Sequence, residues 1–121
     1  MPLDIEIEIQ ADVVCAKVSG AFDLDNAKTL FQKILQTAHK QCLNKILIDA
    51  RSITGNISTM ARFDFATFMS ELFPIGIKIA IVGSTEVVWS DRFLENVANN
   101  RGVNTKVTTD ITEAMDWLKA E

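Results

Sequence analysis

The chain has 121 residues, a formal net charge of −4 and a hydrophobic content of 48%, which together indicate one modest, acidic domain. A chain of this length buries roughly two thirds of the surface that it exposes when unfolded, so it needs no disulfide to fold. The hydrophobic content excludes a disordered chain, and the acidic balance argues against nucleic-acid binding through the phosphates. With one histidine and no tyrosine, few side chains are available for a catalytic site.

The cysteines and the N-terminal residues predict a reducing environment. Cys15 lies in an apolar run and Cys42 ends a helical pattern, and neither has the spacing or histidine neighbours of a metal site. We therefore interpret both as buried, reduced thiols and expect no cofactor. The first residues lack the basic and apolar regions of a signal peptide, and no apolar run reaches the roughly 20 residues that span a bilayer. We expect a cytoplasmic protein without an integral membrane segment.

The first residues predict an antiparallel pair of strands. Apolar and acidic residues alternate from Leu3 to Ile9, which places every apolar side chain on one face of a sheet. A short polar break leads to the apolar run from Val13 to Val18. So short a connection favours a hairpin.

A change of apolar spacing to three and four residues predicts a first helix from Asp25, with Asp23 or Asp25 as its N-cap. Its apolar stripe comprises Ala27, Leu30, Phe31, Ile34, Leu35, Ala38 and Cys42. The run from Ile46 to Ile48 then predicts a strand that is buried on both faces and ends in Asp49. Residues 52–58 are rich in turn formers and are expected to leave that strand.

The second half of the chain alternates between helical and extended patterns. The predicted elements are a helix from Ser58 to Pro74, a strand over 77–83, a helix over 91–101, a strand over 103–108 and a C-terminal helix. Asp110 and Glu113 form a capping box before the last of these. The resulting order, β-β-α-β-α-β-α-β-α, predicts an α/β fold over 1–121 as a single domain. Its sheet is mainly parallel and five-stranded, with an antiparallel first strand, and is covered by helices.

Few residues suit catalysis. His39, the one imidazole, lies off the apolar stripe and is interpreted as a solvated surface residue. Asp4, Glu6 and Glu8 point outward from an edge-like strand, where they are expected to discourage edge-to-edge pairing rather than to act as paired catalytic carboxylates. We therefore expect no enzyme.

A polar cluster is predicted at the carboxyl ends of the parallel strands, where ligands of open α/β sheets bind. It comprises Asp49, Ser52, Thr54 and Ser84. These are the polar groups that an enzyme of this fold would use, although no base of suitable pKa is evident among them. Asp49 could equally cap the loop that follows its strand.

The second predicted helix holds four of the seven phenylalanines. At about 100° per residue, part of this apolar set is expected opposite the stripe of Phe65, Met69 and Phe73, so that apolar residues surround the helix. The second side is then covered by neighbouring chain, contacts another subunit or lines an apolar cavity. With the connector after the fourth strand, this surface comprises Met60, Phe63, Phe68, Val87, Val88 and Trp89.

Four local strings and the order of elements resemble a known superfamily. The strings are Lys17 to Gly20, Ile46 to Asp49, Lys78 to Gly83 and Glu113 to Leu118. Over nearly its whole length the chain resembles the STAS superfamily, specifically its SpoIIAA-like branch, also described as STAS/Sec14-like. The resemblance implies a compact domain that binds protein partners or small apolar molecules and is not an enzyme.

In anti-sigma-factor antagonists of that superfamily, a serine in an Asp-Ser-Ser/Thr-Gly motif at the start of the second helix is switched by phosphorylation. Ser58 matches this serine by its spacing from Asp49, and Thr59 takes the second hydroxyl position. Ile57 and Met60 replace the Asp and the Gly of the motif. The resemblance thus implies a phospho-acceptor at Ser58 or Thr59, whereas the residues alone favour Ser58 as a helix N-cap.

Two functions follow from the sequence. The first is a non-catalytic regulatory or protein-interaction module that binds a protein partner or itself, as a homodimer, through the second helix. The alternative is a carrier or sensor of a lipid-like apolar small molecule. Neither involves nucleic acid.

Overall fold

The computed structural model of the chain describes residues 4–54, 58–72, 77–83 and 104–120. Its elements are β1 (Asp4–Gln10), β2 (Val13–Ala21), α1 (Leu24–Lys40), β3 (Lys45–Thr54), α2 (Thr59–Leu72), β4 (Lys78–Val82), β5 (Asn104–Thr108) and α3 (Ile111–Lys119). They follow the predicted order. The helix predicted over 91–101 lies outside the described residues.

The five strands form one sheet in the order β1-β2-β3-β4-β5. β1 runs antiparallel to β2, and every other neighbouring pair is parallel. Ala11 and Asp12 join β1 to β2 with φ values of 53° and 63°, the left-handed backbone that a two-residue hairpin loop requires. The predicted α/β fold, a mainly parallel sheet with an antiparallel first strand, is confirmed.

One face of the sheet is covered by α1. The apolar stripe of this helix buries Phe31, Ile34 and Ala38 against alternate residues of β2, β3 and β4. At the start of the helix, the Asp23 carboxylate accepts a hydrogen bond from the Asn26 backbone N–H at 3.4 Å. The cap at Asp23 and the predicted stripe up to Ala38 are therefore confirmed, whereas Cys42 lies beyond the helix.

The opposite face is covered by α3, which buries Ala114 and Leu118 against β2, β3 and β4. Because both faces are covered, the central strands are apolar at nearly every position. The Lys78 ammonium group, on β4, secures the end of α3. It donates to the carbonyl oxygens of Trp117 at 3.0 Å and Ala120 at 2.6 Å and lies 4.8 Å from the Trp117 ring centroid. A cation is well placed there because carbonyl groups at a helix C-terminus lack partners.

The capping box predicted for α3 is half correct. The Asp110 carboxylate accepts from the backbone N–H groups of Thr112 and Glu113, at 2.8 Å and 3.3 Å. The Glu113 carboxylate does not return to Asp110. It instead contacts the Thr108 hydroxyl at 3.2 Å and the Lys106 ammonium group at 3.3 Å, because these side chains of β5 offer better donors.

Two local predictions are wrong. Residues 52–54 do not leave the strand, because β3 continues to Thr54 by pairing with residues 19–21 of β2. Cys42 is exposed rather than buried, since α1 ends at Lys40 and Cys42 adopts a φ of 56° in the turn that follows. Cys15 is half-buried, and its burial raises the pKa of its thiol, with a smaller contribution from Glu8.

Candidate functional surface at the start of α2

Ser58 caps the start of α2. Its hydroxyl oxygen accepts a hydrogen bond from the Ala61 backbone N–H at 3.0 Å, which satisfies one of the donors that a helix N-terminus leaves free. The predicted N-cap role is confirmed. The side chain is also exposed, so the hydroxyl is accessible from solvent. Thr59 begins the helix, and its side chain lies outside the described residues.

Two large apolar side chains of α2 are exposed next to this cap. Met60 is 68% exposed and Phe63 is 36% exposed. Because residues three apart are neighbours on a helix, both side chains belong to one patch that begins within the first turn. We call Ser58, Met60 and Phe63 the α2 start surface. Exposed apolar side chains that adjoin one another indicate a binding surface more strongly than isolated ones, which are common on protein surfaces.

Phe68 does not belong to this surface, and the expectation that it lies opposite Phe65 is wrong. The rings of Phe65 and Phe68 both contact Phe31 of α1, with centroid separations of 5.4 Å and 6.4 Å. Three residues of helix rotate a side chain by about 300°, which returns Phe68 to within one helix face of Phe65. Lys28 covers the outer side of the Phe68 ring, 5.4 Å from its centroid.

Asp49 lies within β3, beside the last residue of β4. Its register partners are Lys17 on β2 and Val82 on β4. Beyond it, β3 holds one more residue than β2 before Ser19 pairs with Ser52. Such a β-bulge re-aims the side chains that follow.

Arg51 forms hydrogen bonds with both oxygens of the Asp49 carboxylate. Its guanidinium group donates to both oxygens, with Nε to Oδ1 at 2.9 Å and Nη2 to Oδ2 at 2.8 Å, and its backbone N–H donates to Oδ1 at 3.2 Å. These bonds hold the pKa of Asp49 below its usual range, against the opposing effect of partial burial, and the same pairing raises the pKa of Arg51. A carboxylate that stays ionised, with hydrogen bonds to both of its oxygens, is poorly suited to act as a general acid or base. Sequence reasoning missed Arg51, although its opposite charge two residues along the strand was a usable signal.

Ser52 and Thr54, two further members of the predicted polar cluster, do not join Asp49. Thr54 donates its hydroxyl to the carbonyl oxygen of Gly20 at 3.3 Å, which ties the ends of β2 and β3 together. Ser52 is exposed. Within residues 4–54, no hydrogen bond links Asp49 to either of them. Ser84, and with it Val87, Val88 and Trp89 of the predicted apolar surface, lies outside the described residues.

A cavity of about 750 Å³ lies between the end of α1 and the start of β4. This is the end of the sheet opposite Asp49, and we call it the foot of the sheet. Its apolar lining includes Leu35, Leu43 and Ile77, and its rim carries His39 and Cys42. The apolar cavity that the sequence predicts beside the second helix includes residues 87–89, which lie outside the described residues, so it stays a prediction.

The described residues contain neither a cluster of metal-ligating side chains nor a membrane-spanning helix. In the ranges 4–54, 58–72, 77–83 and 104–120, no three His, Cys, Asp or Glu side chains lie together as metal ligands would. No helix in the described part of the chain combines the length and the apolar character needed to cross a membrane.

Comparison with solved structures identifies the fold. An anti-sigma factor antagonist from Mycobacterium paratuberculosis superposes with a TM-score of 0.72 at 15% identity, covering 98% of this chain and 95% of that chain. An uncharacterized protein with a SpoIIAA-like fold from Shewanella loihica superposes with a TM-score of 0.58 at 23% identity, covering 97% of this chain and 93% of that chain. The chain has a SpoIIAA-like fold. No protein-family model and no curated protein sequence matches it.

The SpoIIAA-like fold confirms the expected architecture over nearly the whole chain. It does not by itself assign an activity, because one fold hosts many functions and function depends on particular sites. Function must therefore follow from particular surfaces, here the α2 start surface and the cavity at the foot of the sheet.

Proposed function

We propose that the chain is a non-catalytic regulatory module that binds a protein partner through the α2 start surface. The observation that carries this proposal is the exposure of Met60 and Phe63 beside the capping Ser58. Exposed apolar side chains that adjoin one another form the centre of many protein interfaces, where methionine and aromatic residues are enriched. A structurally similar protein is an anti-sigma factor antagonist, which supports a regulatory role.

We expect a second copy of the chain to be one of the partners. A homodimer through α2 would bring Met60 and Phe63 of two copies together and remove both from water on each side, as an isologous interface does. The acidic net charge of −4 opposes self-association over wide surfaces, so a small apolar contact is the form that we expect.

Ser58 provides a switch for this surface. Phosphorylation would add negative charge at a helix N-terminus, where the macrodipole favours an anion. The same charge would place a strongly hydrated group beside Met60 and Phe63. We therefore expect phosphorylation of Ser58 to leave α2 folded and to weaken apolar docking.

The absence of an enzymatic role is part of the proposal. Asp49 is held by Arg51, and His39 is exposed at the far end of α1. Neither presents a nucleophile and a base within hydrogen-bond reach of each other, which covalent catalysis requires.

Sedimentation velocity over a range of protein concentrations tests the proposal. We expect the weight-average sedimentation coefficient to rise with concentration and this rise to disappear in M60D and F63D. The matched control is I111D. Ile111 is 36% exposed, as Phe63 is, and lies in the first turn of a helix, as Met60 does. Equal loss in I111D, or no concentration dependence in the unchanged chain, would contradict self-association through α2.

The cavity at the foot of the sheet supports a second candidate, a carrier or sensor of a small apolar molecule. Its volume of about 750 Å³ falls in the range of ligand pockets, which are mostly apolar with a few polar groups. His39 and Cys42 supply such groups at its rim.

Cys42 allows a direct test of the carrier candidate. In a Cys15→Ser background, an environment-sensitive fluorophore attached to Cys42 should shift to shorter wavelength when dodecanoate is added. As the matched control, the fluorophore is attached at Ser52→Cys in a chain that also carries Cys42→Ser, since Ser52 is exposed and not part of the cavity lining. No shift at Cys42, or an equal shift at both sites, would contradict ligand binding there.

A further inference from the structure

The outer edge of β1 has no partner strand among the described residues. β1 is the first strand of the sheet order, and within the described residues it pairs on one side alone, with β2. The N–H and C=O groups that point away from β2 are available to another extended chain. At seven residues, β1 is long enough to form several of the paired bonds by which one strand adds to another.

β1 presents two chemically different faces along this edge. Ile5, Ile7 and Ile9 lie on the α1 side of the sheet, because their partners Val18, Ala16 and Val14 belong to the core beneath α1. Ile5 and Ile7 are partly buried there, whereas Ile9 is 45% exposed. An added strand would cover the apolar surface that remains exposed on these three side chains.

The other face of β1 is acidic. It carries Asp4, Glu6 and Glu8, all exposed, and in the part of the chain that the structure describes none of them forms an ion pair. Lys17 lies opposite Glu6 in the β1–β2 ladder, but the two side chains form no ion pair. Three exposed carboxylates at alternate positions therefore line this face of β1, next to its outer edge.

β5, the opposite edge, lacks these features. It has five residues, and its Lys106 is paired with Glu113 of α3 at 3.3 Å. Thr105 and Thr108 are buried. The charge available for recognition is thus concentrated on β1.

A second copy of β1 does not fit this edge. Isoleucines occupy positions 5, 7 and 9 and acidic residues occupy positions 4, 6 and 8. Any register that places the isoleucines of two copies on a shared face also places their acidic residues opposite one another, because both sets repeat every two residues. A shift by one residue instead turns carboxylates onto the isoleucine face. Like charges that lie directly opposite across strands are destabilising, so self-pairing is disfavoured in every register.

We propose that the β1 edge binds an extended segment of another protein in which basic and apolar side chains alternate, as an added strand of the sheet. Its apolar side chains would lie beside Ile5, Ile7 and Ile9, and its lysines or arginines would lie beside Asp4, Glu6 and Glu8. Main-chain bonds supply affinity in such strand addition, and the alternate side chains supply specificity. This site lies apart from the α2 start surface and does not depend on it.

A synthetic nine-residue peptide of alternating lysine and valine tests the proposal on the full chain. We expect saturable binding that weakens as salt is added, with slower hydrogen exchange at the outward amides of β1. At a peptide concentration ten times its Kd, exchange should slow by about tenfold, because bound amides open in proportion to the free fraction. The matched peptides are alternating glutamate and valine, and the lysine peptide with proline in place of its central valine. We expect neither to bind.

Protein variants separate charge recognition from general acidity. E6Q combined with E8Q should raise the Kd of the lysine peptide by about 2- to 30-fold, the range expected for the loss of two cross-strand charge pairs. E71Q combined with D116N removes the same charge from exposed positions outside the sheet and should leave the Kd unchanged.

Three results would overturn the proposal. The first is binding of the proline peptide as tightly as the unbroken one, which would exclude an added strand. The second is protection of β5 rather than β1. The third is protection of β1 in the protein alone that grows with its concentration, which would show that a second copy occupies the edge.

Discussion

The helices α1 and α2 reach the hydrophobic core in different ways. α1 lies directly on the sheet, and its Phe31 is 1% exposed. α2 reaches this core by resting Phe65 and Phe68 on Phe31, while Met60 and Phe63 remain exposed. A helix that packs directly on a sheet buries the centre of its stripe, whereas a helix that packs on another helix can leave part of its apolar surface exposed.

Replacement of Phe31 with alanine should have the largest effect, because this ring lies at the contact of both helices with the core. We expect the free energy of unfolding to fall by about 3–5 kcal/mol. Urea denaturation followed by circular dichroism measures it. A fall of less than about 1 kcal/mol would contradict the central position of Phe31.

The F68A substitution should lower the free energy of unfolding by less, about 1–2 kcal/mol. The Phe68 ring is half-buried, so its removal costs less than the removal of a fully buried phenylalanine ring. Part of that loss is the contact with Lys28. A double-mutant cycle of F31A with F68A should give a coupling of about 0.5–1.5 kcal/mol. Additive effects would show that α2 does not depend on Phe31.

The S58A substitution should lower stability by about 1 kcal/mol, because it removes the acceptor for the Ala61 N–H. S58D keeps an acceptor and adds negative charge at the helix N-terminus, so most of the stability should return. Thermal unfolding of the three chains compares them. If S58D is no more stable than S58A, the capping role is contradicted.

The smallest effect on stability is expected for M60A, within about 0.5 kcal/mol of the unchanged chain, since an exposed side chain has little packing to lose. The same substitution should reduce partner binding. Urea denaturation and sedimentation velocity on one preparation measure both quantities. A large loss of stability would mean that Met60 belongs to the fold rather than to a binding surface.

The sequence predicted α1 better than α2 for a physical reason. The buried residues of α1 lie on a single apolar stripe that packs on the sheet, so the spacing of apolar residues indicates which ones are buried. The apolar residues of α2 surround the helix, and the pattern does not say which side meets α1. The three-residue step from Phe65 to Phe68 was the available signal, and it places both rings on one face.

The site was less predictable than the fold. Ser58 was found as a cap because its chemistry is local. The β-bulge in β3 and the grip of Arg51 on Asp49 depend on how β2 and β3 align, which periodicity within a single strand does not reveal. The cavity at the foot of the sheet likewise depends on the turn after α1.

The order of the strands in the sheet is also their order along the chain, which bears on how the protein folds. Each strand pairs with the strand made just before it, so the chain can add one strand at a time during synthesis. Only the β1–β2 hairpin is local in sequence. The parallel pairs join residues that are far apart along the chain, such as Val14 with Ile46, and pairing of that kind slows folding. Within the described sheet β1 pairs with β2 alone, so no later strand of that sheet covers its outer edge.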